Sequence, residues 1–447
     1  MAYTITITSS VQTINRAGDT AQLILTFDVT GTGGSVAATM VDWGIRVGDW
    51  GTVEWSYDFE DALLVPGTYR VKLFDEQSYL KDLFFGVTGI YPDVAKTPKV
   101  EFKLNGVVEY VGYVVEDSIN YVTSEKSVTF TVDPDTIILN KSELFALDGT
   151  TPVNPLGYTP SEHYPVTTII EDLFQLVNPT LSYTGGTVKI TQDWLFWGTR
   201  YLPTNDGHLY TDLLFSEIRQ NVDPLFFDST YGMVTVGDVL KKLAMDWCCF
   251  TGMVHHEKAF FKKLFYFDES NTQVLGTILN REFSYKYTLI DYVEVTVEAD
   301  QPYNYPVVYT RGTNSHLQDR YIKRSAFPGF YIVVGPPDPP PYSGATNVLA
   351  TTTRGSYPGT YYVFQAADPR LLAGAVSAYG DLSAEFWWLS RSNPAQCRID
   401  KFNVVGITYD FLKDFVDDGH RYQPIAMRKY ISKNETEIEA IYLGEDS

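Results

Sequence analysis

The residues able to do chemistry in this chain are few and poorly grouped. His255-His256-Glu257 sets two imidazoles beside a carboxylate. Successive residues of a strand point to opposite faces, so both histidines cannot ligate one metal without a bend. The chain has no His-x-x-x-His or Cys-x-x-Cys spacing, which a zinc site commonly uses. Surface or loop histidines are the expectation. Cys248-Cys249 offers thiols, one of which is expected to face the core as a small hydrophobe. A nucleophile also needs a base and an orienting group, and the surrounding sequence supplies no recognisable pair. Asp417-Asp418-Gly419-His420 has the acid-glycine character of a calcium turn but lacks the alternating oxygen ligands and distal glutamate. It reads as a polar turn.

Carboxylate pairs occur at Glu60-Asp61, Asp75-Glu76 and Glu171-Asp172, but among 55 acidic residues such pairs carry no weight. A glycosidase pair is defined by separation in space. Trp194 with Trp197, and Trp387-Trp388, could stack sugars, although tryptophan more commonly anchors cores and interfaces. Gly-x-Ser-x-Gly, a phosphate loop and a dinucleotide fingerprint are all missing. The sequence therefore assigns no catalytic, cofactor-binding or metal residues and implies no cofactor; the chain reads as a non-enzyme.

The charge balance points the same way. With 34 basic and 55 acidic residues the formal charge is −21, and no basic stripe exists to neutralise phosphates. The densest basic stretches, Lys258 to Lys263 (interrupted by Phe260 and Phe261) and Arg320 to Arg324, read as solvated strand faces. Aromatic residues make up 15% of the chain and charged ones 20%, a globular composition. Cys248, Cys249 and Cys397 form no disulfide framework, because the count is odd and adjacent cysteines pair only with strain. Synthesis in a reducing compartment is expected. Met1 to Thr8 lacks the basic and apolar regions of a signal peptide, and no apolar run approaches about 18 residues, so no membrane insertion is expected.

The elements that must position these residues are mostly strands. Thr4 to Thr8 and Ala21 to Val29 alternate at period two, as does Thr68 to Phe74 after the Pro66-Gly67 turn. Val100 to Leu104 and Val107 to Tyr113 flank Asn105-Gly106, the pair that supplies both positive-φ positions of a type I′ hairpin turn. Lys126 to Val132 alternates strictly and stops at Asp133-Pro134. Residues 150 to 164 are rich in Pro, Gly and Thr and read as a boundary. Helical spacing follows at Val166, Ile169, Ile170, Leu173, Phe174 and Val177, ended by Asn178-Pro179.

A second helix starts at Thr235 with Asp238 completing a capping box. It carries Val236, Val239, Leu240, Leu243, Ala244 and Trp247 on one face, with Gly252 placed to end it. Ala259 to Phe267 and Tyr292 to Glu298 read as strands, and Gly335 to Pro341 as an exposed proline-rich loop. A helix is expected from Asp368 to Tyr379, opened by Pro369. A final hairpin pairs Met427 to Ser432 with Glu437 to Leu443.

The order of these segments resembles the hub proteins of phage tail baseplates and tail tips. The residues that carry the resemblance are Leu104 to Tyr113, Asp117 to Tyr121, Ser127 to Val132, Val234 to Ala244 and Asp291 to Val297, spanning about residues 95 to 300. The resemblance implies a mainly β (α+β) fold: two tube-like antiparallel β-barrel or sandwich domains with an intervening α/β insert. The corresponding segments are 1–90, an N-terminal β region; 91–150, part of the first barrel; 151–280, the α/β insert; and 281–447, the second barrel and C-terminal hairpin. It further implies a structural virion protein made in the host cytoplasm. That protein would form a homotrimeric ring joining the tail tube protein to distal spike, fibre or receptor-binding proteins, with DNA only as cargo in the lumen. An acidic wall would repel that cargo, and ring formation would cover edge strands. A hexameric distal tail protein and a carbohydrate-binding adhesin are the alternative readings.

Overall fold

The structure, a computed structural model, describes residues 2–30, 34–57, 63–85, 97–142, 144, 157–159, 163–182, 188–190, 194–201, 209–214, 218–221, 235–246, 249–264, 267–285, 292–297, 307–310, 321–326, 330–332 and 398–445. Its architecture is mainly β, with two large curled sheets. The first runs in the order Val36–Thr39, Ala2–Thr8, Thr20–Thr30, Lys99–Leu104, Val107–Val114, Ser127–Pro134, Tyr69–Asp75, Ile45–Asp49. Period-two patterning explains its core. Ile5 sits opposite Phe27, Ile7 opposite Leu25, Leu25 opposite Val100 and Leu23 opposite Phe102, so the apolar sets of three strands share one face. Helix α1 (Tyr79–Phe85) covers that face with Leu80, Leu83 and Phe84, all buried. The Phe84 ring lies 5.5 Å from Phe27 and 5.6 Å from Phe130. Asp75 accepts the Lys81 backbone N–H at 3.0 Å and anchors the start of α1.

The second sheet runs Val188–Ile190, Lys258–Lys263, Cys249–His255, Leu63–Pro66, Thr52–Tyr57, His420–Tyr430, Glu435–Glu445, Arg398–Val405, Ile278–Tyr285. Both sheets are mixed rather than purely antiparallel. Ala2–Thr8 runs parallel to Val36–Thr39, and Cys249–His255 parallel to Leu63–Pro66. These pairs join strands from separate stretches of chain, which need not run in opposite directions as hairpin partners must.

One ribbon joins the sheets. Ile45–Asp49 and Tyr69–Asp75 pair with each other in the first sheet. Their continuations, Thr52–Tyr57 and Leu63–Pro66, pair with each other in the second. The crossing occurs at Trp50-Gly51 on one limb and Gly67-Thr68 on the other. Tyr69 Oη donates to Trp50 O at 2.6 Å, the Ile431 N–H donates to Gly51 O at 3.3 Å, and the Gly51 N–H donates to Asp49 Oδ1 at 3.0 Å. Burial drives the Tyr69 phenol well above its ordinary pKa, with the Asp49 charge adding to the effect. It therefore acts as a fixed donor.

After the first sheet's last strand come α2 (Val166–Val177) and α3 (Val236–Asp246), which flank Val188–Ile190 of the second sheet in sequence. Val166, Ile169, Ile170, Leu173 and Phe174 of α2 are buried, as are Val236, Val239, Leu240, Leu243 and Ala244 of α3. The capping box forms: the Thr235 N–H donates to Asp238 Oδ2 at 2.9 Å and the Asp238 N–H to Thr235 Oγ1 at 3.2 Å. Gly252 does not end the helix, because α3 closes at Asp246 and Gly252 lies inside the strand Cys249–His255. Its φ of +152° and its close approach to the Leu64 backbone fit the crowded parallel pairing there. The expected Asn105-Gly106 turn is present, with φ of 51° and 80°. Asn105 Oδ1 also accepts the Thr20 N–H at 2.7 Å. The C-terminal hairpin is longer than its sequence signal, pairing His420 through Tyr430 with Glu445 back to Glu435. Trp247, the loop Gly335 to Pro341 and the helix Asp368 to Tyr379 lie outside the described residues.

Candidate functional site

The two sheets meet at a cleft of about 260 Å³. The Asn105 turn and Glu109 of the first sheet form one wall. Trp55, His255, Lys258 and Lys429 of the second sheet, with the Tyr409–Phe411 loop, form the other. Trp55 is buried, and its indole N–H donates to Val254 O at 3.3 Å. Lys429 Nζ lies 5.2 Å from the Trp55 ring centre and 2.7 Å from Glu109 Oε2. The lysine is buried while Glu109 is about four-fifths so, and their ion pair spans the sheets. Lys258 Nζ is 2.8 Å from Asp410 Oδ2, and Asp410 Oδ1 accepts the Leu412 N–H at 3.0 Å. Burial pushes the Asp410 carboxyl up, but the Lys258 charge and hydrogen bond outweigh it and hold the group below the ordinary range.

His255 is buried in this cleft, contrary to the surface expectation. Burial, and then the Lys258 charge, push its pKa down to about 4 from an ordinary 6.5. As pH falls, the unfolded chain therefore takes up the proton before the folded one. The stability that neutral His255 contributes is fully present above pH 6.5 and is lost as pH falls toward about 4. A loss of about 3 kcal/mol over that window is expected. Denaturant unfolding at stepped pH should show it, and His255→Gln should flatten that part of the profile.

His256 follows the strand in a turn, its ring edge-on to that of His255 at 6.1 Å. Its Nδ1 lies 3.1 Å from Asp135 Oδ2, and its carbonyl accepts Asn178 Nδ2–H at 2.6 Å. Among the described residues, no three His, Cys, Asp or Glu side chains are grouped to hold a metal. Also among them, no helix is long and apolar enough to cross a membrane.

A second ionic cluster lies across the C-terminal strands. Asp400, fully buried, receives Arg398 Nε at 2.6 Å on Oδ1 and Arg281 Nη2 at 3.0 Å on Oδ2. Arg281 Nη1 reaches Asp417 Oδ2 at 3.0 Å, and Arg281 also hydrogen-bonds Tyr422 Oη. Phe402 and Tyr422 flank the Arg281 guanidinium at 5.3 and 5.4 Å. Arg281 ties Ile278–Tyr285 to Arg398–Val405 through Asp400, which Arg398 of the same strand also holds.

The other sequence candidates are dispersed. Cys249 is buried, in line with its expected role as a small hydrophobe. Asp418 and Gly419 form a tight turn with φ of 49° and 72°, as the sequence suggested. Asp172 accepts the Tyr158 hydroxyl at 2.6 Å, and Asp75 serves α1. Cys248, Glu60, Asp61, Trp387 and Trp388 lie outside the described residues. Trp194 and Trp197 lie in the strand Trp194–Tyr201.

The Lys258–Lys263 stretch is not a solvated face. Lys262 is only 1% exposed and contacts buried Asp414, because the strand runs inside the sheet between Cys249–His255 and Val188–Ile190. Sequence reasoning also passed over Lys429 and Asp400. Each sits at an inward position of its strand, Lys429 between Met427 and Ile431 and Asp400 before Phe402 and Val404. A charge breaking an apolar alternation was the available signal.

No family model matches the chain, and no curated protein matches it. Solved structures similar to it include three tail proteins. The 43 kDa tail protein of prophage MuSo2 from Shewanella oneidensis is 11% identical with a TM-score of 0.40, over 89% of this chain and 95% of that one. The prophage tail protein gp18 from Listeria monocytogenes EGD-e is 10% identical with a TM-score of 0.40, over 89% of each chain. A tail protein from Neisseria meningitidis MC58 is 9% identical with a TM-score of 0.42, over 89% of this chain and 95% of that one.

Proposed function

We propose that the chain is a structural protein of a phage virion, the hub or adaptor ring of a tail tip or baseplate. It joins the tail tube to distal spike, fibre or receptor-binding proteins. The observation that carries this reading is the architecture itself: two curled sheets tied by a shared ribbon and by the Lys429–Glu109 pair, with helices α2 and α3 inserted in the chain after the first sheet's last strand. The charged residues of the inter-sheet cleft and of the Asp400 cluster bind one another across strands, a pattern suited to holding shape under load. Three copies surround the tail axis, each giving two curled sheets to a pseudo-sixfold ring, and the −21 charge suits a wall that repels passing DNA.

The test is the stoichiometry and radial position of the chain in an intact particle by cryo-electron microscopy. Three copies enclosing the axis at the end of a tube are expected. Six copies in a ring would make it a distal tail protein. A peripheral position would overturn the hub reading and favour glycan binding.

A further inference from the structure

We propose that Lys262 and Asp414 condense to an intramolecular amide, clamping the strand Lys258–Lys263 covalently to the strand Asp414–Asp417. The two side chains are in direct contact and are 1% and 0% exposed. Lys262 Nζ also donates to Leu412 O at 3.2 Å, and Asp414 Oδ2 accepts the Asp268 N–H at 2.8 Å. Phe260, Phe411 and Phe415, near the pair in sequence, are buried as well. In such a site a separated ion pair is poorly solvated, and the neutral forms gain relative to it.

Of the groups facing the pair, the Asp268 charge favours a neutral acid, whereas the Asp268 N–H favours the ion. Asp268, buried, keeps its carboxylate in place by accepting the Ser270 N–H at 3.1 Å and hydroxyl at 2.6 Å. Its charge sits beside Asp414. Burial, and then that charge, raise Asp414 to about 6 despite the adjacent lysine. Glu269 is drawn away to Arg421, at 3.1 Å. Asp410 is engaged by Lys258.

The reaction needs no co-reactant. The Lys262 ammonium passes a proton to the Asp414 carboxylate, giving an amine and a carboxylic acid in contact. The Nζ lone pair attacks Cγ, forming the Nζ–Cγ bond. The Cγ–Oδ1 bond breaks, and Oδ1 leaves as water carrying the acid proton and one proton from Nζ. Oδ2 remains as the amide oxygen, still accepting the Asp268 N–H. That N–H also stabilises the charge that builds on Oδ2 during attack. Fixed contact supplies the effective concentration, and the dry surroundings favour loss of water. The Lys258–Asp410 pair is an internal comparison: its side chains are 29% and 28% exposed, so water solvates the ions and the pair stays ionic.

The experiment is the intact mass of the folded, purified full chain, measured after denaturation, followed by peptide mapping. The expected mass is one water below that of the sequence, with a branched peptide joining Lys262 to Asp414. Lys262→Arg keeps the charge and should show the full sequence mass. If that variant fails to fold, the wild-type mass and branched peptide decide alone. A wild-type mass equal to the sequence would overturn the proposal. So would a lost water that maps elsewhere, for example to a succinimide at Asp418-Gly419.

Discussion

Gly51→Ala is expected to lower the unfolding free energy by about 3 kcal/mol or more, a loss at the severe end for one methyl group. Two effects combine. Gly51 has φ of +71°, which disfavours any residue with a Cβ. The added Cβ would also sit far inside van der Waals contact of Arg70 O, a backbone atom held in the Tyr69–Asp75 strand. Neither limb of the ribbon can yield. Gly51 O accepts the Ile431 N–H, and Tyr69 holds the Trp50 carbonyl. Relief would require breaking the crossing itself. Gly106→Ala is the matched control. Its φ is also positive, at +80°, but no heavy atom lies within 4 Å of the new methyl. Only the conformational penalty of about 1 kcal/mol is expected there. Denaturant midpoints of the two variants, compared at constant slope, measure the difference.

Glu109→Ala is expected to destabilise the chain by about 3 kcal/mol, because it strands a buried lysine rather than removing a surface pair. Lys429 is 2% exposed at its side chain and pairs with Glu109 at 2.7 Å. The Trp55 ring, 5.2 Å away, offers partial compensation. The double variant Glu109→Leu with Lys429→Met should recover much of the loss, since matched apolar replacements of buried ion pairs are commonly near neutral. Thermal and denaturant unfolding of the single and double variants would check both statements. A single variant within about 0.5 kcal/mol of wild type would mean the pair is effectively solvated.

What the sequence revealed was local. Asn105-Gly106 names its own turn, and Thr235 with Asp238 names its own helix start, because a few neighbouring residues settle each geometry. The stripe on α2 and the alternation in Thr20–Thr30 are equally self-contained. What it concealed depends on distant partners. Gly252 looks like a helix terminator until Leu64 packs across it. The Lys258–Lys263 stretch looks solvated until strands close on both sides. His255 looks like a loop residue until the Asn105 turn arrives from the other sheet. The joining ribbon was half legible: the Pro66-Gly67 turn marks the crossing on one limb, while Trp50-Gly51 on the other carried no signal. The candidate site was legible only as charges at inward positions, Lys429 and Asp400, whose counterions lie far away in sequence.

The ribbon has a further consequence for how the chain is made. The first sheet draws its strands from residues before Asp135 and can assemble while the rest is still being synthesised. The second cannot, because Thr52–Tyr57 pairs with Ala426–Tyr430 near the far end of the chain. Until that segment emerges, one long edge of the early ribbon stays bare, a template for pairing with any neighbouring nascent chain. Closure of the second sheet therefore waits on synthesis of the segment His420–Glu445, however stable the finished fold is. A chain cut short before Arg421 should accumulate in aggregates even though its first sheet is complete.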